Sequence, residues 1–249
     1  MLKHTLDTTQ TGLAVGHRPI SALYEFWCFL RMADLLEKDF GFGRPEGMIN
    51  GATVYDDLFE EPDPDKIDAT TLSALTYKFP EKDGIFIKLL SQQNYGKETV
   101  DGDLAYYNPQ RPDIVLVIER GKDVFTYLFD AKYRIDERGG KDASPAEPIN
   151  DMHRYRDAIL YRSQEDDRKL SRQIVGAYVL YPGRSLPQSY NYAELIKNEN
   201  IGAIPLLPGE DGGSALKSFI GEILSKKTPE SHLSADIPTR GTTVVVGKN

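Results

Sequence analysis

The chain has 249 residues, 40% of them hydrophobic and 27% charged, with a formal net charge of −8 at pH 7. This length and composition suit one sizeable α/β domain with a real core. The single cysteine, Cys28, excludes an intrachain disulfide. No apolar run approaches a membrane span and the start lacks a signal pattern, so we expect a cytoplasmic protein with no membrane partner.

The first predicted element is a long helix from Pro19 to Lys38. Proline suits the first turn of a helix. One side of this helix carries an apolar stripe that a carboxylate, Glu25, interrupts. A buried carboxylate is costly unless it meets a partner or a metal. Two interpretations of Glu25 stay open: an ion pair with an arginine, or a third acidic group at a metal site. The stripe consists of Ala22, Glu25, Phe29, Met32 and Leu36.

Two predicted strands stand near the middle of the chain. Pro112-Asp113 precedes the unbroken apolar run 114–118, which is typical of a strand buried on both faces. After a predicted hairpin connection, residues 124–132 form a second strand that ends in Asp130-Ala131-Lys132. Because side chains alternate along a strand, Asp130 and Lys132 share a face. Antiparallel pairing would then place Asp113 beside both of them.

This constellation suits phosphodiester hydrolysis. Mg²⁺ prefers oxygen ligands, so we expect Asp113 and Asp130 to bind it, with the carbonyl of Ala131 as a third candidate ligand. A bound metal stabilises charge on a phosphate and lowers the pKa of an attacking water. Lys132 would orient that water or neutralise the developing charge. The pattern alone also allows a simple surface ion pair between Asp130 and Lys132.

The rest of the chain predicts an alternation of strands and helices with few chemical motifs. Residues 41–70 predict a loop with at most short elements. The polar segment 136–148 after the motif predicts a loop that would either cover DNA or merely connect elements. Predicted strands are 85–90, 174–181 and 201–207, and predicted helices are about 149–163, with a core stripe of Met152, Tyr155 and Ile159, and 214–225.

The motif resembles the PD-(D/E)XK nuclease superfamily. Flanking segments over roughly residues 18–225 further resemble the McrC-related nuclease domains of modification-dependent restriction systems. The segments that carry this resemblance are Arg18-Pro19, Tyr24-Glu25-Phe26-Trp27, Arg111-Pro112-Asp113-Ile114-Val115-Leu116, Phe129-Asp130-Ala131-Lys132-Tyr133-Arg134, Asp151-Met152-His153-Arg154-Tyr155-Arg156-Asp157-Ala158 and 201–209.

The resemblance implies a fold, a cofactor and a substrate. We expect a restriction-endonuclease-like α/β core, with a central mixed β-sheet flanked by helices. The implied cofactor is Mg²⁺, with Mn²⁺ able to substitute, and the implied substrate is DNA. Glu25 occupies the position of an acidic residue that often joins the metal site in this superfamily. We expect residues 1–249 to form a single nuclease domain with a polar tail from residue 226.

The resemblance also implies partners and alternatives. McrC-type subunits usually work with an AAA+ motor, and this chain has no Gly-x-x-x-x-Gly-Lys-Ser/Thr loop, so the motor NTPase would be a separate subunit. A homodimer is a further option. The alternative function is a non-catalytic nucleic-acid-binding or assembly module that docks a motor. A nuclease for RNA or for single strands is the third hypothesis.

An acidic nuclease needs a local basic patch to contact DNA. The acidic net charge predicts weak intrinsic affinity, which a partner would supplement. Arg134 and Arg156 are the predicted DNA contacts, although a simple ion pair of Arg156, with Asp157 or with a group of the sheet, is an equal alternative. Other candidates for the patch are Arg138, Lys141, Arg154 and Arg162.

Overall fold

The structure is a computed structural model, which describes residues 19–49, 52–54, 75–96, 103–105, 109–134, 146–162, 170–171, 174–183, 199–209 and 213–227. Its helices are α1 (Ile20–Asp34), continued by a π-helical turn (Leu35–Asp39), α2 (Ala146–Ala158) and α3 (Ser214–Ser225). Its strands are β1 (Glu46–Ile49), β2 (Ala52–Val54), β3 (Leu75–Lys78), β4 (Ile85–Ser91), β5 (Asp103–Ala105), β6 (Ile114–Arg120), β7 (Asp123–Ala131), β8 (Ile159–Arg162), β9 (Leu170–Ser171), β10 (Ile174–Tyr181) and β11 (Ile201–Pro205).

A mixed eight-stranded sheet organises the fold, in the order β11-β10-β7-β6-β4-β3-β1-β2. Strand β10 runs parallel to both β7 and β11, whereas the remaining pairs in this sheet are antiparallel. A small sheet of three strands, β5-β8-β9, accompanies it. The predicted α/β class with a central mixed sheet is therefore confirmed.

Helices cover both faces of the large sheet, because its central strands are apolar on both sides. Helices α1 and α3 pack on one face, where Phe219 of α3 meets the rings of Tyr127, Phe129 and Tyr178. Helix α2 packs on the other face through Met152 and Tyr155. The alternation predicted for β7 is confirmed, since Leu128 belongs to the α2 side and its neighbours to the opposite side.

Several predicted boundaries were wrong. Helix α2 ends at Ala158, and Ile159–Arg162 forms strand β8, because its β-branched and aromatic side chains favour a strand. Arg162 therefore does not lie on the helix. The helix that begins at Ile20 turns into a π-helix at Leu35. The predicted strand 201–207 ends at Pro205, and three short strands precede the predicted strand 85–90.

Some predictions lie outside the described residues. These are most of the loop 136–148, together with Arg138 and Lys141, and the segment 228–249 of the polar tail. In the part of the chain that the structure describes, no helix is long and apolar enough to cross a membrane.

Candidate active site

The pairing of β6 with β7 brings the two motif aspartates together. Ile114 pairs with Phe129, so the next residues outward, Asp113 and Asp130, lie side by side. The backbone N–H of Ala131 donates to Oδ2 of Asp113 at 2.8 Å. The N–H of Lys132 donates to the carbonyl of Leu180 at 2.8 Å, which fixes the end of the motif against β10. The ends of β6 and β7 therefore bring Asp113, Asp130 and Lys132 together in one site, which we call the acidic corner.

Asp130 is the most deeply enclosed of these side chains, with 1% of its surface exposed. The ammonium of Lys132 contacts its Oδ2 as an ion pair. On the other side, the hydroxyl of Tyr155 donates to Oδ1 over a long 3.5 Å. Oδ2 thus has an ammonium partner, and the long contact at Oδ1 leaves that oxygen able to accept a metal ion.

Helix α1 presents Glu25 to the same corner. The helix is anchored there by Tyr24, whose hydroxyl donates to the carbonyl of Leu206 at 2.7 Å. Glu25 is half-buried, and its Oε2 accepts a hydrogen bond from Nε2 of Gln92 at 3.2 Å. Among the described residues, no arginine forms an ion pair with Glu25, and its direct partner is an amide. Arg111 instead donates to the other end of that amide, at 2.6 Å.

The electrostatics show an excess of negative charge in this corner. Burial raises the pKa of Asp113 well above its usual range, and the neighbouring Asp130 and Glu25 raise it further. Burial also raises the pKa of Glu25, which Lys132 and Gln92 partly oppose. Burial lowers the pKa of Lys132, but the surrounding carboxylates outweigh this effect and the net shift is upward. The single ammonium is therefore held charged among three acidic groups.

These residues fit a divalent cation bound by two carboxylates. Mg²⁺ usually takes one or two carboxylates and completes its shell with waters and substrate oxygens. Asp113 and Asp130 supply that number, and their mutual repulsion is relieved by a cation. Over the described ranges, no group of three or more His, Cys, Asp or Glu side chains is placed to hold a metal. Glu25 and the carbonyl of Ala131 as further ligands stay predictions.

The two predicted DNA contacts occupy different settings. Arg134 is exposed, two residues beyond Lys132 at the end of the motif. Arg156 is largely buried on α2; its Nη1 donates to the carbonyl of Glu199 at 2.9 Å, and its Nε lies 3.6 Å from Oδ1 of Asp157. The ion pair that the sequence allowed is thus present. DNA binding by either arginine stays a prediction.

The sequence did not predict a role at the acidic corner for three residues that the structure places there. Tyr155 was assigned to the core, and its aliphatic and ring atoms are indeed buried there. Gln92 and Arg111 carry no pattern of their own, since a lone amide after a strand and an arginine before a proline are common. Its position two residues before Asp113 could have predicted that Arg111 lies near the site, because both residues come at the start of the same strand.

We expect Tyr155→Phe to slow the phosphodiester cleavage that the sequence motif predicts about tenfold, because removal of a hydrogen-bonded partner of a metal ligand, the predicted role of Asp130, typically costs that much or more. The fold should tolerate the change, since one long hydrogen bond contributes about 1 kcal/mol or less. Single-turnover cleavage rates and denaturant unfolding measure the two effects. Tyr161→Phe on β8 is the control and should change neither. An unchanged rate in Tyr155→Phe would exclude a role for the hydroxyl.

Comparison with known protein families identifies the class of protein to which this fold and acidic corner belong. A family model described as PD-(D/E)XK nuclease superfamily matches residues 22–185, which include the aspartates, Lys132 and Glu25. The chain belongs to this superfamily, as the sequence motif predicted. Searches of curated proteins and of solved structures each found no match.

Proposed function

We propose that the chain is a metal-dependent endonuclease that hydrolyses phosphodiester bonds of DNA, as the McrC-like nuclease component of a restriction or defence system. The observation that carries this proposal is the juxtaposition of Asp113 and Asp130, with Lys132 in contact with Asp130. Membership of a nuclease superfamily whose members generally use divalent metals supports it.

Each residue of the corner has a role in the proposed reaction. Asp113 is fixed at Oδ2 by the N–H of Ala131, which leaves Oδ1 as the ligand atom that we assign to the metal. Oδ1 of Asp130, which has the long 3.5 Å contact with the hydroxyl of Tyr155, is the second atom that we assign to the metal. The bound Mg²⁺ or Mn²⁺ supplies charge stabilisation at the phosphate and an acidified water. The ammonium of Lys132 orients that water and offsets the negative charge that develops on the phosphate.

The acidic net charge of the chain favours a system in which a partner helps it to bind DNA. The net charge of −8 opposes association with a polyanion, so phosphate contacts depend on local cations such as Arg111 and Arg134. A separate AAA+ motor subunit would bring the substrate to the corner and supply the missing affinity. A second copy of the chain in a homodimer would place two corners on two DNA strands.

The alternative is a non-catalytic module that keeps the fold and docks a motor. The complete set of two aspartates and one lysine argues against it. A buried carboxylate such as Asp130 is costly in a protein that makes no use of it, because it needs an ammonium partner to be tolerated. A site without function would be more stable with apolar groups at these positions.

Cleavage of supercoiled plasmid by the purified chain tests the proposal. We expect nicking and linearisation in Mn²⁺ and in Mg²⁺, and none in EDTA. Parallel assays on RNA and on single-stranded DNA of the same sequence test the substrate class. Cleavage restricted to RNA would contradict the DNA assignment. No cleavage of any substrate, in the presence or absence of a cognate motor, would favour the docking module.

A further inference from the structure

Gln92 has an unusual backbone conformation at the edge of the acidic corner. It follows β4 and has a φ of 51°, in the left-handed region that residues other than glycine rarely adopt. Its N–H donates to the carbonyl of Asp113 at 2.7 Å, which adds one hydrogen bond to the β4–β6 pairing beyond the last strand residue. Gln92 is therefore fixed to the residue that carries one of the motif carboxylates.

The side chain of Gln92 connects Arg111 to Glu25. A guanidinium can only donate hydrogen bonds, so the amide oxygen of Gln92 must face Arg111, which it does at 2.6 Å. This contact fixes the orientation of the amide and turns Nε2 toward Oε2 of Glu25, at 3.2 Å. Because an ionised carboxylate only accepts, the chain of donors and acceptors has one consistent direction from Arg111 to Glu25.

We infer that Gln92 is a positioning residue that holds Glu25 for the metal, an inference that rests on the proposed function. Donation to Oε2 directs one oxygen of Glu25 to the amide and leaves the other for the metal or a water on it. The left-handed backbone is what allows one residue to contact the Asp113 carbonyl and Glu25 at once. Backbone strain of this kind persists where the surrounding structure requires it, and is common at active sites.

In Gln92→Gly, we expect metal binding to weaken while the stability of the fold stays nearly unchanged. Glycine adopts a positive φ freely, so relief of strain should offset the lost side-chain contacts, and the unfolding midpoint should change by about 2 °C or less. The dissociation constant for Mn²⁺, measured by titration calorimetry, should rise by roughly 10- to 100-fold, as for other residues that orient metal ligands.

Asp83→Gly is the matched control for the backbone. Asp83 precedes the other end of β4 with a φ of 53°, and it is exposed. Its replacement relieves the same strain far from the corner and should leave Mn²⁺ binding unchanged. If Gln92 served only the turn, the two glycine variants would bind Mn²⁺ equally well, which would overturn the inference.

A double-mutant cycle with Glu25→Gln separates positioning from other effects. In the Glu25→Gln background, Gln92→Gly should cause no further loss of Mn²⁺ affinity, because the group that it positions is already altered. Additive losses would contradict the inference. If the unaltered chain and Asp130→Asn show the same Mn²⁺ titration, the proposed function fails, and this inference with it. If Asp130→Asn alone weakens binding, the proposed function stands and only the role of Gln92 is rejected.

Discussion

Asp130→Asn should abolish metal-dependent cleavage, with a fall in rate of about 1,000-fold or more. The amide has the shape of the carboxylate, so the packing around this fully buried position is retained. What is lost is the negative charge that would complete the proposed two-carboxylate ligand set with Asp113. Quantitative plasmid nicking in Mn²⁺ measures the rate. Asp123→Asn, at the opposite end of β7, is the control and should cleave normally.

The same substitution should change the unfolding midpoint of the metal-free protein little, because loss of the ion pair with Lys132 and relief of the repulsion at Asp113 oppose each other. Because burial and the neighbouring carboxylates raise the pKa of Asp113 in the folded state, its charged form is penalised. The protonated Asp113 carboxyl stabilises the fold at low pH, and this stabilisation is lost as the pH rises through the raised pKa. At neutral pH the charged form of Asp113 therefore destabilises the folded state. Removal of the Asp130 charge reduces this cost. Undiminished nicking by Asp130→Asn would refute the proposed mechanism.

Lys132→Met should have the second-largest effect, and it acts on both activity and stability. Loss of the ammonium removes the group that we propose to orient the water and offset charge, so cleavage should fall by roughly 100- to 1,000-fold. It also leaves Asp130 buried without its ion-pair partner. The metal-free protein should therefore lose about 1–3 kcal/mol in free energy of unfolding.

The effect of Mn²⁺ on stability further tests the prediction for Lys132→Met. Mn²⁺ should stabilise Lys132→Met more than the unaltered chain, because the cation takes over charge neutralisation at Asp130, while cleavage remains lost. Lys88→Met is the control: Lys88 pairs with Glu119 on the neighbouring strand, is more exposed, and should cost less than about 0.5 kcal/mol. If Mn²⁺ stabilised Lys132→Met and the unaltered chain equally, Lys132 and the metal would not share Asp130.

The core of the fold and the aspartate pair could be predicted because both follow from strand periodicity. The uninterrupted apolar run of β6 and the alternation along β7 fix which side chains share a face. Antiparallel pairing then forces Asp113 next to Asp130. The strand Ile174–Tyr181 and the helix Ser214–Ser225 were predicted at their observed bounds for the same reason, since strong apolar patterns have clear limits.

The remaining parts of the site depend on tertiary contacts that no local pattern encodes. The partner of Glu25 is Gln92, which is distant in sequence and lies in a backbone conformation that glutamine rarely adopts. Tyr155 carries a core pattern, and its hydroxyl reaches Asp130 only because α2 packs across β7. The end of α2 was misplaced because helical spacing through Met152, Tyr155 and Ile159 continues into a segment that pairs with β5.

An anomalous difference map of crystals grown with Mn²⁺ would show whether the acidic corner binds a metal. We expect a peak in contact with the carboxylates of both Asp113 and Asp130, and the map would also show whether Glu25 and the carbonyl of Ala131 approach the ion. A Glu25 side chain turned away from the ion would reject its auxiliary role alone. A corner without a peak, in crystals that bind Mn²⁺ elsewhere, would contradict the assignment of this site as a metal-dependent nuclease centre.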